Sequence, residues 1–233
     1  MQRHISGTFE EELESLKTDF VALGGTVEQQ VANASRAFIQ NDSELAESVK
    51  TMELQVNRRT VELNRLAEGT LALRQPAASD FRLIVGIFKT STDLERIGDE
   101  ADRIAKFVGQ TWCYSVNREY HNIMTELMEQ AVNAVRNALD AFTRLNVEQA
   151  KETIVRDGEI DRLYDEVVAS STSQIVENSA NLKNDLAALW VARSLERIGD
   201  HAKNISETVI YLVEGEIVVH NIANAIEPDT DDE

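Results

Sequence analysis

The sequence predicts an all-α fold of two tandem, sequence-related three-helix bundles, with six long antiparallel helices in total. Residues 94–105 and 195–206 are identical at eight of twelve positions, at an offset of 101 residues, which is typical of a duplicated supersecondary unit. Apolar residues recur every three or four positions through most of the 233 residues, interrupted by only 10 Gly and 2 Pro. Short turns between these periodic segments predict that neighbouring helices are antiparallel.

The first unit is predicted to contain three helices. Apolar periodicity predicts helix one over residues 8–40, with Gly24-Gly25 as a point where it could bend. The turn residues 41–43 supply an N-cap for helix two, which is predicted over 44–73. Pro76 ends that segment, and helix three is predicted from position 78 or 79 to about 109.

The second unit repeats this organisation. Periodicity predicts helix four over 117–145, helix five after a cap at Asn146 and up to 177, and helix six over 182–214. The predicted domain boundaries are therefore 5–112 for the first repeat and 117–214 for the second, followed by an acidic C-terminal tail over 215–233.

Composition narrows the class of function. The net charge of −18 argues against nucleic acid as a partner, because phosphate binding needs a basic surface. The N-terminus lacks a signal-peptide core, and the longest apolar run, 186–192, is far shorter than the roughly 20 residues of a membrane span. A single cysteine, Cys113, fits a reducing compartment and is expected to be a buried small apolar residue. We expect a cytoplasmic protein, soluble or at most peripheral to a membrane.

Each copy of the repeated segment projects two carboxylates from one helix face. Glu95 and Asp99 lie four residues apart, and so do Glu196 and Asp200. Like charges at this spacing cost a helix a few tenths of a kcal/mol. A glycine inside each helix, at positions 98 and 199, costs about 1 kcal/mol relative to alanine. A bound cation would relieve the repulsion, and glycine would allow another backbone or an ion to come close.

The antiparallel second helix of each unit is expected to face these carboxylates. Helix two offers Glu53 and Asn57, and helix five offers Asp157 and Asp161 at the same offset of 104 residues. Clustered carboxylate oxygens suit iron, manganese, magnesium, calcium or zinc. Two alternatives stay open. The acid pairs could be solvated helix faces, or they could pair with arginines between the bundles, for which positions 96 and 197 are candidates.

Catalytic motifs are absent from the sequence. The Glu-x-x-His pairs of di-iron helical proteins do not occur, and no Gly-x-Ser-x-Gly, Walker loop or Gly-x-Gly-x-x-Gly is present. His201 could act as a ligand beside Asp200, but Glu100 stands at the equivalent position of the first unit, so we expect a surface or interface histidine. The sequence therefore predicts a protein that is not an enzyme.

Two segments resemble the paired signatures of the PhoU family. The first is Asp-Leu-Glu-Arg-Ile-Gly-Asp at 93–99, preceded by Gln-Pro-Ala-Ala-Ser-Asp-Phe-Arg-Leu at 75–83, and the second is Ala-Arg-Ser-Leu-Glu-Arg-Ile-Gly-Asp-His-Ala-Lys-Asn-Ile at 192–205. The resemblance extends over about residues 5–215. It implies paired three-helix bundles that act on the cytoplasmic side of the membrane, between a phosphate ABC transporter, through its ATPase subunit, and a sensor histidine kinase. It further implies a negative regulator of phosphate uptake and of phosphate-starvation signalling.

Some PhoU members bind iron or zinc clusters through Glu/Asp-x-x-x-Asp motifs, so the resemblance implies possible iron, zinc or other divalent metal ions here. The motif positions carried over are Glu53 with Asn57, Glu95 with Asp99, Asp157 with Asp161, and Glu196 with Asp200. Asn57 departs from the motif because it offers a neutral amide oxygen, so the first-half site is expected to be weaker or built differently.

Long apolar helix faces in a chain of this size also predict a homodimer. Two other functions remain open from the sequence. One is a carboxylate-bridged metal-binding hydrolase or a metal-storage helical protein. The other is a structural helical dimer whose acid pairs bind nothing.

Overall fold

The computed structural model describes residues 2–109, 118–177 and 182–215, with side chains described from residue 7 and from residue 121 in the first two ranges. Within these ranges the chain forms six helices and no strand, which confirms the predicted fold class. The helices are α1 (Gln2–Gln40), α2 (Ser43–Arg74), α3 (Ala78–Lys106), α4 (Arg118–Arg144), α5 (Val147–Glu177) and α6 (Leu182–Glu214). The predicted helix four start at Asn117, the predicted buried position of Cys113, and the acidic tail beyond Gly215 lie outside the described residues.

The two turns after α1 and α4 have the same construction. Asn41 and Leu145 both adopt left-handed backbone conformations, with φ of 53° and 50°. The following amide, of Asp42 in one turn and Asn146 in the other, donates to a carbonyl five residues earlier at 2.9 Å. The side chains of Asp42 and Asn146 then accept from backbone amides of the next helix, at 3.0 and 3.2 Å. These are the predicted N-caps, and their equivalence confirms the duplication at the level of local structure.

Each unit is a triangle of helices in mutual contact, α1 with α2 and α3, and α4 with α5 and α6. The units join through α3 against α6 and α1 against α4, so α2 and α5 lie on opposite outer sides. At the α1–α4 contact, the ring centroids of Phe20 and Phe142 are 4.3 Å apart. A Cβ on Gly24 would lie 2.7 Å from a methyl carbon of Leu139, so Gly24 permits the close approach of α4. The helix α1 continues through Gly24-Gly25.

One hydrophobic core extends through both units. The sequence predicts one apolar stripe in each repeated segment, and these stripes belong to the core. Their last members, Val108 and Leu212, are partly buried. The others are fully buried: Leu94, Ile97, Ala101 and Ile104 of α3, and Leu195, Ile198, Ala202, Ile205 and Val209 of α6. Among the described residues, no helix is long and apolar enough to cross a membrane. The shared core holds α3 and α6 against each other, and this fixes where their polar faces lie.

Candidate functional site

The first-half site forms where α2 packs against α3. The carboxylate of Glu53 is 9% exposed and lies against Gly98. A Cβ at position 98 would lie 2.9 Å from Glu53 Oε2, closer than real Cβ contacts allow. The glycine therefore makes room for a carboxylate of the neighbouring helix, which is the physical reason for a helix-weakening residue at this position. The sequence predicted the approach of a backbone or an ion, whereas the group that lies against Gly98 is a side chain of the neighbouring helix.

Two neutral amides hold the Glu53 carboxylate. The Nε2 of Gln30, on α1, donates to Glu53 Oε2 at 2.9 Å and to the Gly98 carbonyl at 3.2 Å. The Nδ2 of Asn57 donates to Glu53 Oε1 at 2.8 Å. Among the described residues, the remaining amide oxygens of Gln30 and Asn57 are buried and accept no hydrogen bond. Within the described ranges, the buried Glu53 carboxylate therefore has no cationic partner in direct contact, and the two amide oxygens beside it can each accept a further hydrogen bond.

The environment of Glu53 opposes its ionisation. Burial raises the pKa of this carboxyl, and the negative charges of Asp99 and Asp102 raise it further. The hydrogen bonds from Gln30 and Asn57 stabilise the charged form and lower the pKa, but they do not cancel the effect of burial. A cation placed at this site would stabilise the ionised form.

The second-half site, between α5 and α6, has the same design with one difference. The Asp157 carboxylate is 5% exposed, and a Cβ on Gly199 would lie 3.0 Å from its Oδ1. Here the partner is a cation, because Lys203 Nζ donates to Asp157 Oδ2 at 3.0 Å. Burial raises the pKa of Asp157, and the ammonium group of Lys203 lowers it only in part. Burial alone would lower the pKa of Lys203, but the hydrogen bond and the charge of Asp157 outweigh burial and raise it.

The other predicted carboxylates surround these two buried ones. Burial raises the pKa of Glu196, followed by the charge of Asp200, and Asp161 and Asp157 contribute as well. Partial desolvation and the charge of Asp157 likewise raise the pKa of Asp161. The charges of Asp157, Asp161 and Asp200 all raise the pKa of Glu196, so these four carboxylates share one acidic region where α5 packs against α6. The Glu196 Oε1 accepts from Arg193 at 2.7 Å, whereas its Oε2 is buried and accepts no hydrogen bond from the described residues.

In the first half, Glu95 and Asp99 lie on the partly exposed face of α3. Both pair with Arg96 of the same helix, at 3.5 and 3.3 Å. Arg96 therefore pairs with carboxylates of its own helix, and not with carboxylates of the other bundle.

The donor set of both sites fits a hard or borderline cation, because it consists of carboxylate and amide oxygens. The unpartnered oxygens of Gln30, Asn57 and Glu196 are the atoms that a bound ion or water would satisfy. In the part of the chain that the structure describes, no three His, Cys, Asp or Glu side chains converge closely enough to hold a metal ion. Binding would therefore require side chains to turn from their present partners towards a shared ion.

Two residues of these sites were missed from the sequence. Gln30 comes from α1, and the duplication gives no signal for it because position 134, its equivalent at an offset of 104, is alanine. Lys203 did have a signal. It aligns with Asp102 in the repeated segment, and this acid-to-base difference is the distinction between the two sites.

Two side chains for which the sequence offered an interpretation, His201 and Arg197, form ion pairs between the units. His201 Nδ1 lies 3.0 Å from Asp93 Oδ1 on α3, so the prediction of an interface histidine is confirmed. Arg197 lies 2.9 Å from Oε1 of the buried Glu100, which also accepts from Arg103 at 2.8 Å. Arg197 therefore pairs with a carboxylate of the other unit, but that carboxylate is Glu100 and not a member of the acid pairs.

Comparison with known proteins agrees with this duplicated architecture. A family model described as PhoU domain matches residues 20–108 and again 124–209. A phosphate-specific transport system accessory protein PhoU homolog of Pseudomonas putida is 41% identical over 220 residues, covering 94% of this chain and 86% of the relative. The phosphate-specific transport system accessory protein PhoU of Escherichia coli (strain K12) is 35% identical over 223 residues, covering 94% of this chain and 91% of the relative.

Solved structures give the same result. The crystal structure of PhoU from Pseudomonas aeruginosa matches with a TM-score of 0.85 at 39% identity, covering 89% of this chain and 100% of that one. The phosphate transport system regulatory protein PhoU from Streptococcus pneumoniae matches with a TM-score of 0.83 at 27% identity, covering 91% of this chain and 99% of that one. With two matched domains, near-complete coverage and the shared fold, the chain belongs to the PhoU family.

Proposed function

We propose that this protein is a cytoplasmic negative regulator of phosphate uptake and of phosphate-starvation signalling. It would act as an adaptor between the ATPase subunit of a phosphate ABC transporter and a sensor histidine kinase. The observation that carries the proposal is similarity over 94% of the chain to relatives named phosphate-specific transport system accessory proteins. Those names describe accessory proteins and not enzymes, so the proposal includes no catalytic step.

Deletion of the gene should derepress phosphate-starvation genes in cells grown with abundant phosphate. The reason is that a kinase without its restraining adaptor would signal starvation regardless of supply. A reporter fused to a phosphate-starvation promoter measures the effect, and a plasmid copy of the gene is the control that should restore repression. Unchanged reporter expression in high phosphate would show that the chain is not a repressor of this response.

The acidic sites are proposed to bind divalent metal ions. The first-half site is proposed as the preferred one, which reverses the sequence-based expectation that Asn57 makes it weaker. Among the described residues, the hydrogen-bond partners of Glu53 are neutral amides, whereas Asp157 already contacts the ammonium group of Lys203. A metal ion at the second site would have to displace Lys203 or share Asp157 with it, which costs Coulomb energy. Iron and zinc are the ions that the family resemblance implies, and the oxygen-rich donor set also admits manganese.

Elemental analysis of protein purified without chelator or affinity metal tests this preference. Protein carrying Glu53→Ala and Asp99→Ala should lose most of its bound metal. The matched second-half variant, Asp157→Ala with Asp200→Ala, should retain more of it. Equal metal content in both variants would contradict the preference for the first half, and metal-free wild-type protein would favour the solvated-face interpretation of the acid pairs.

A further inference from the structure

A groove lies between the C-terminal part of α3 and the N-terminal half of α6, beside the second-half site, since Arg193 in its lining contacts Glu196. Its volume is about 380 Å³. We call it the α3–α6 groove. The residues that matter for its chemistry are Arg103 and Lys106 on α3, Phe107 directly after α3, and Trp190, Arg193 and Arg197 on α6.

The charge of this groove is opposite to that of the whole chain. Four basic side chains line it in a protein of net charge −18, and all four are about half-exposed. The one carboxylate in its lining, Glu100, is 2% exposed and contacts both Arg103 and Arg197. Among the described residues, the hydrogen bonds and ion pairs of the three arginines involve one terminal nitrogen each. A guanidinium has five N–H donors, so each arginine retains capacity for a further anionic partner.

A row of exposed apolar side chains leads into the groove. Leu182, Leu186 and Trp190 follow one another at intervals of four along α6, so they share one helix face over about 12 Å. All three are exposed, Trp190 to 61%. A contiguous row of large apolar side chains beside a charged rim is typical of a protein interaction site. Tryptophan and arginine are also the residues that most often dominate binding energy in such sites.

We propose that the α3–α6 groove docks an acidic amphipathic helix of a protein partner. The apolar face of that helix would cover the row ending at Trp190, and its carboxylates would pair with the arginines at the rim. This inference rests on the proposed adaptor function, which requires at least one docking surface. A small anion would contact only the groove and would leave Leu182 and Leu186 in water. A bound helix would cover both the apolar row and the basic groove. The apolar anchors of such helices recur every three or four residues, which matches the four-residue spacing of the row on α6.

The test measures binding of the full chain to the two partners of the proposed function, the assembled transporter and the full-length sensor kinase, each in lipid nanodiscs. The variant Trp190→Ala with Leu186→Ala removes two anchors that are exposed, so the fold should be unaffected. We expect its affinity for one of the partners to fall at least about tenfold, as for interface hot spots. The matched control is Leu73→Ala, which truncates an exposed leucine at the far end of α2 and should leave the affinity within about twofold.

The salt dependence of the affinity measures the contribution of the basic side chains separately. Lys106, which pairs with Asp102, carries one of the four positive charges that line the groove. Lys106→Gln should make the affinity less dependent on salt, because it lowers the positive charge that faces the acidic helix. Equal binding by wild type and the Trp190→Ala, Leu186→Ala variant would overturn the groove proposal while leaving the adaptor function in place. Failure of the unchanged chain to bind either membrane partner would instead overturn the adaptor function and the docking role with it.

Other occupants of the groove are distinguishable in the same variants. If the double variant turns a dimer into a monomer in analytical ultracentrifugation, a second copy of this chain occupies the groove and the proposal is wrong. The chain has two tryptophans, so the emission of Trp190 is measured in a Trp112→Phe background. If truncation after Gly215 shifts that emission in the free protein, the chain's own acidic tail is the occupant, which also overturns the proposal. An unchanged sedimentation coefficient and unchanged emission, together with the tenfold loss of affinity, support the proposal.

Discussion

Replacement of Lys203 by methionine is expected to destabilise the protein by about 2 to 3 kcal/mol at neutral pH. Among the residues that the structure describes, Lys203 has the only cationic side chain within hydrogen-bond distance of the buried Asp157 carboxylate. Removal of one partner of a buried pair leaves an uncompensated charge, which costs about 3 to 5 kcal/mol for full burial. The cost should fall below that range because Lys203 is partly exposed. For a chain of this size, the melting temperature should drop by about 5 to 10 °C.

The pH dependence of this effect has a definite sign. The pKa of Asp157 is raised in the folded protein above its ordinary value of 3.8, and loss of Lys203 would raise it further. When the pKa of a carboxyl is higher in the folded protein than in the unfolded chain, the carboxyl lowers the stability at any pH above the unfolded pKa. This loss of stability increases with pH and becomes constant above the folded pKa. The difference in stability between wild type and Lys203→Met should therefore be largest at neutral pH. It should shrink as the pH falls and vanish below about 3.8, where Asp157 is protonated in both states.

Thermal unfolding across this pH range provides the measurement. Lys151→Met is the matched control, because its ammonium group makes only longer contacts, at 3.5 and 3.9 Å, with exposed carboxylates. Such surface pairs contribute between about 0 and 1 kcal/mol. A Lys203→Met variant as stable as the control at pH 7 would mean that Asp157 needs no cation. A divalent ion that raises the melting temperature of Lys203→Met more than that of wild type would show that the ammonium group occupies a cation position.

Simultaneous replacement of Arg103 and Arg197 by alanine is expected to destabilise the protein by about 3 kcal/mol. Both guanidinium groups contact Oε1 of Glu100, a carboxylate that is 2% exposed between the two units. Either arginine alone can still neutralise it, so each single variant should lose only about 1 kcal/mol. The double variant leaves Glu100 buried and unpaired, and its loss should exceed the sum of the two single losses.

Chemical denaturation of the two single variants and the double variant measures this coupling. The variant Glu100→Gln in the double background is the informative control, because a neutral amide removes the buried charge and should recover part of the stability. Additive losses, or no recovery with Glu100→Gln, would contradict a role for this ion triad in holding α3 against α6. Arg136→Ala, which removes a half-exposed arginine paired with Glu28 on α1, should cost less than about 1 kcal/mol.

The helices and their order follow from the sequence because periodicity and capping are local properties. The stripe at 195–212 predicts a buried helix face by spacing alone, and five of its six positions are fully buried, while Leu212 is partly buried. Asp42 and Asn146 were identifiable as caps because a cap needs only a short polar side chain before a periodic segment. The duplication also made the packing of α2 on α3, and of α5 on α6, predictable, because short turns permit little else.

The composition of each acidic site was predictable only in part. The repeated Glu-Arg-Ile-Gly-Asp segments identified the carboxylates, and a glycine inside a helix signalled a close approach. No pattern along the sequence predicts which atom lies against Gly98. Only the packing of α2 against α3 places Glu53 there, and only α1 brings Gln30 within 2.9 Å of that carboxylate.

The sequence by itself determined the helices, their duplication and the carboxylates that line each unit, because these depend on spacing along one chain. The tertiary structure decided how each buried charge is satisfied, because the groups that satisfy it are distant in sequence. Asp157 and Lys203 are 46 residues apart, and Gln30 and Gly98 are 68 residues apart. Two sites from one duplicated segment therefore differ physically, with neutral amides around Glu53 and an ammonium group against Asp157.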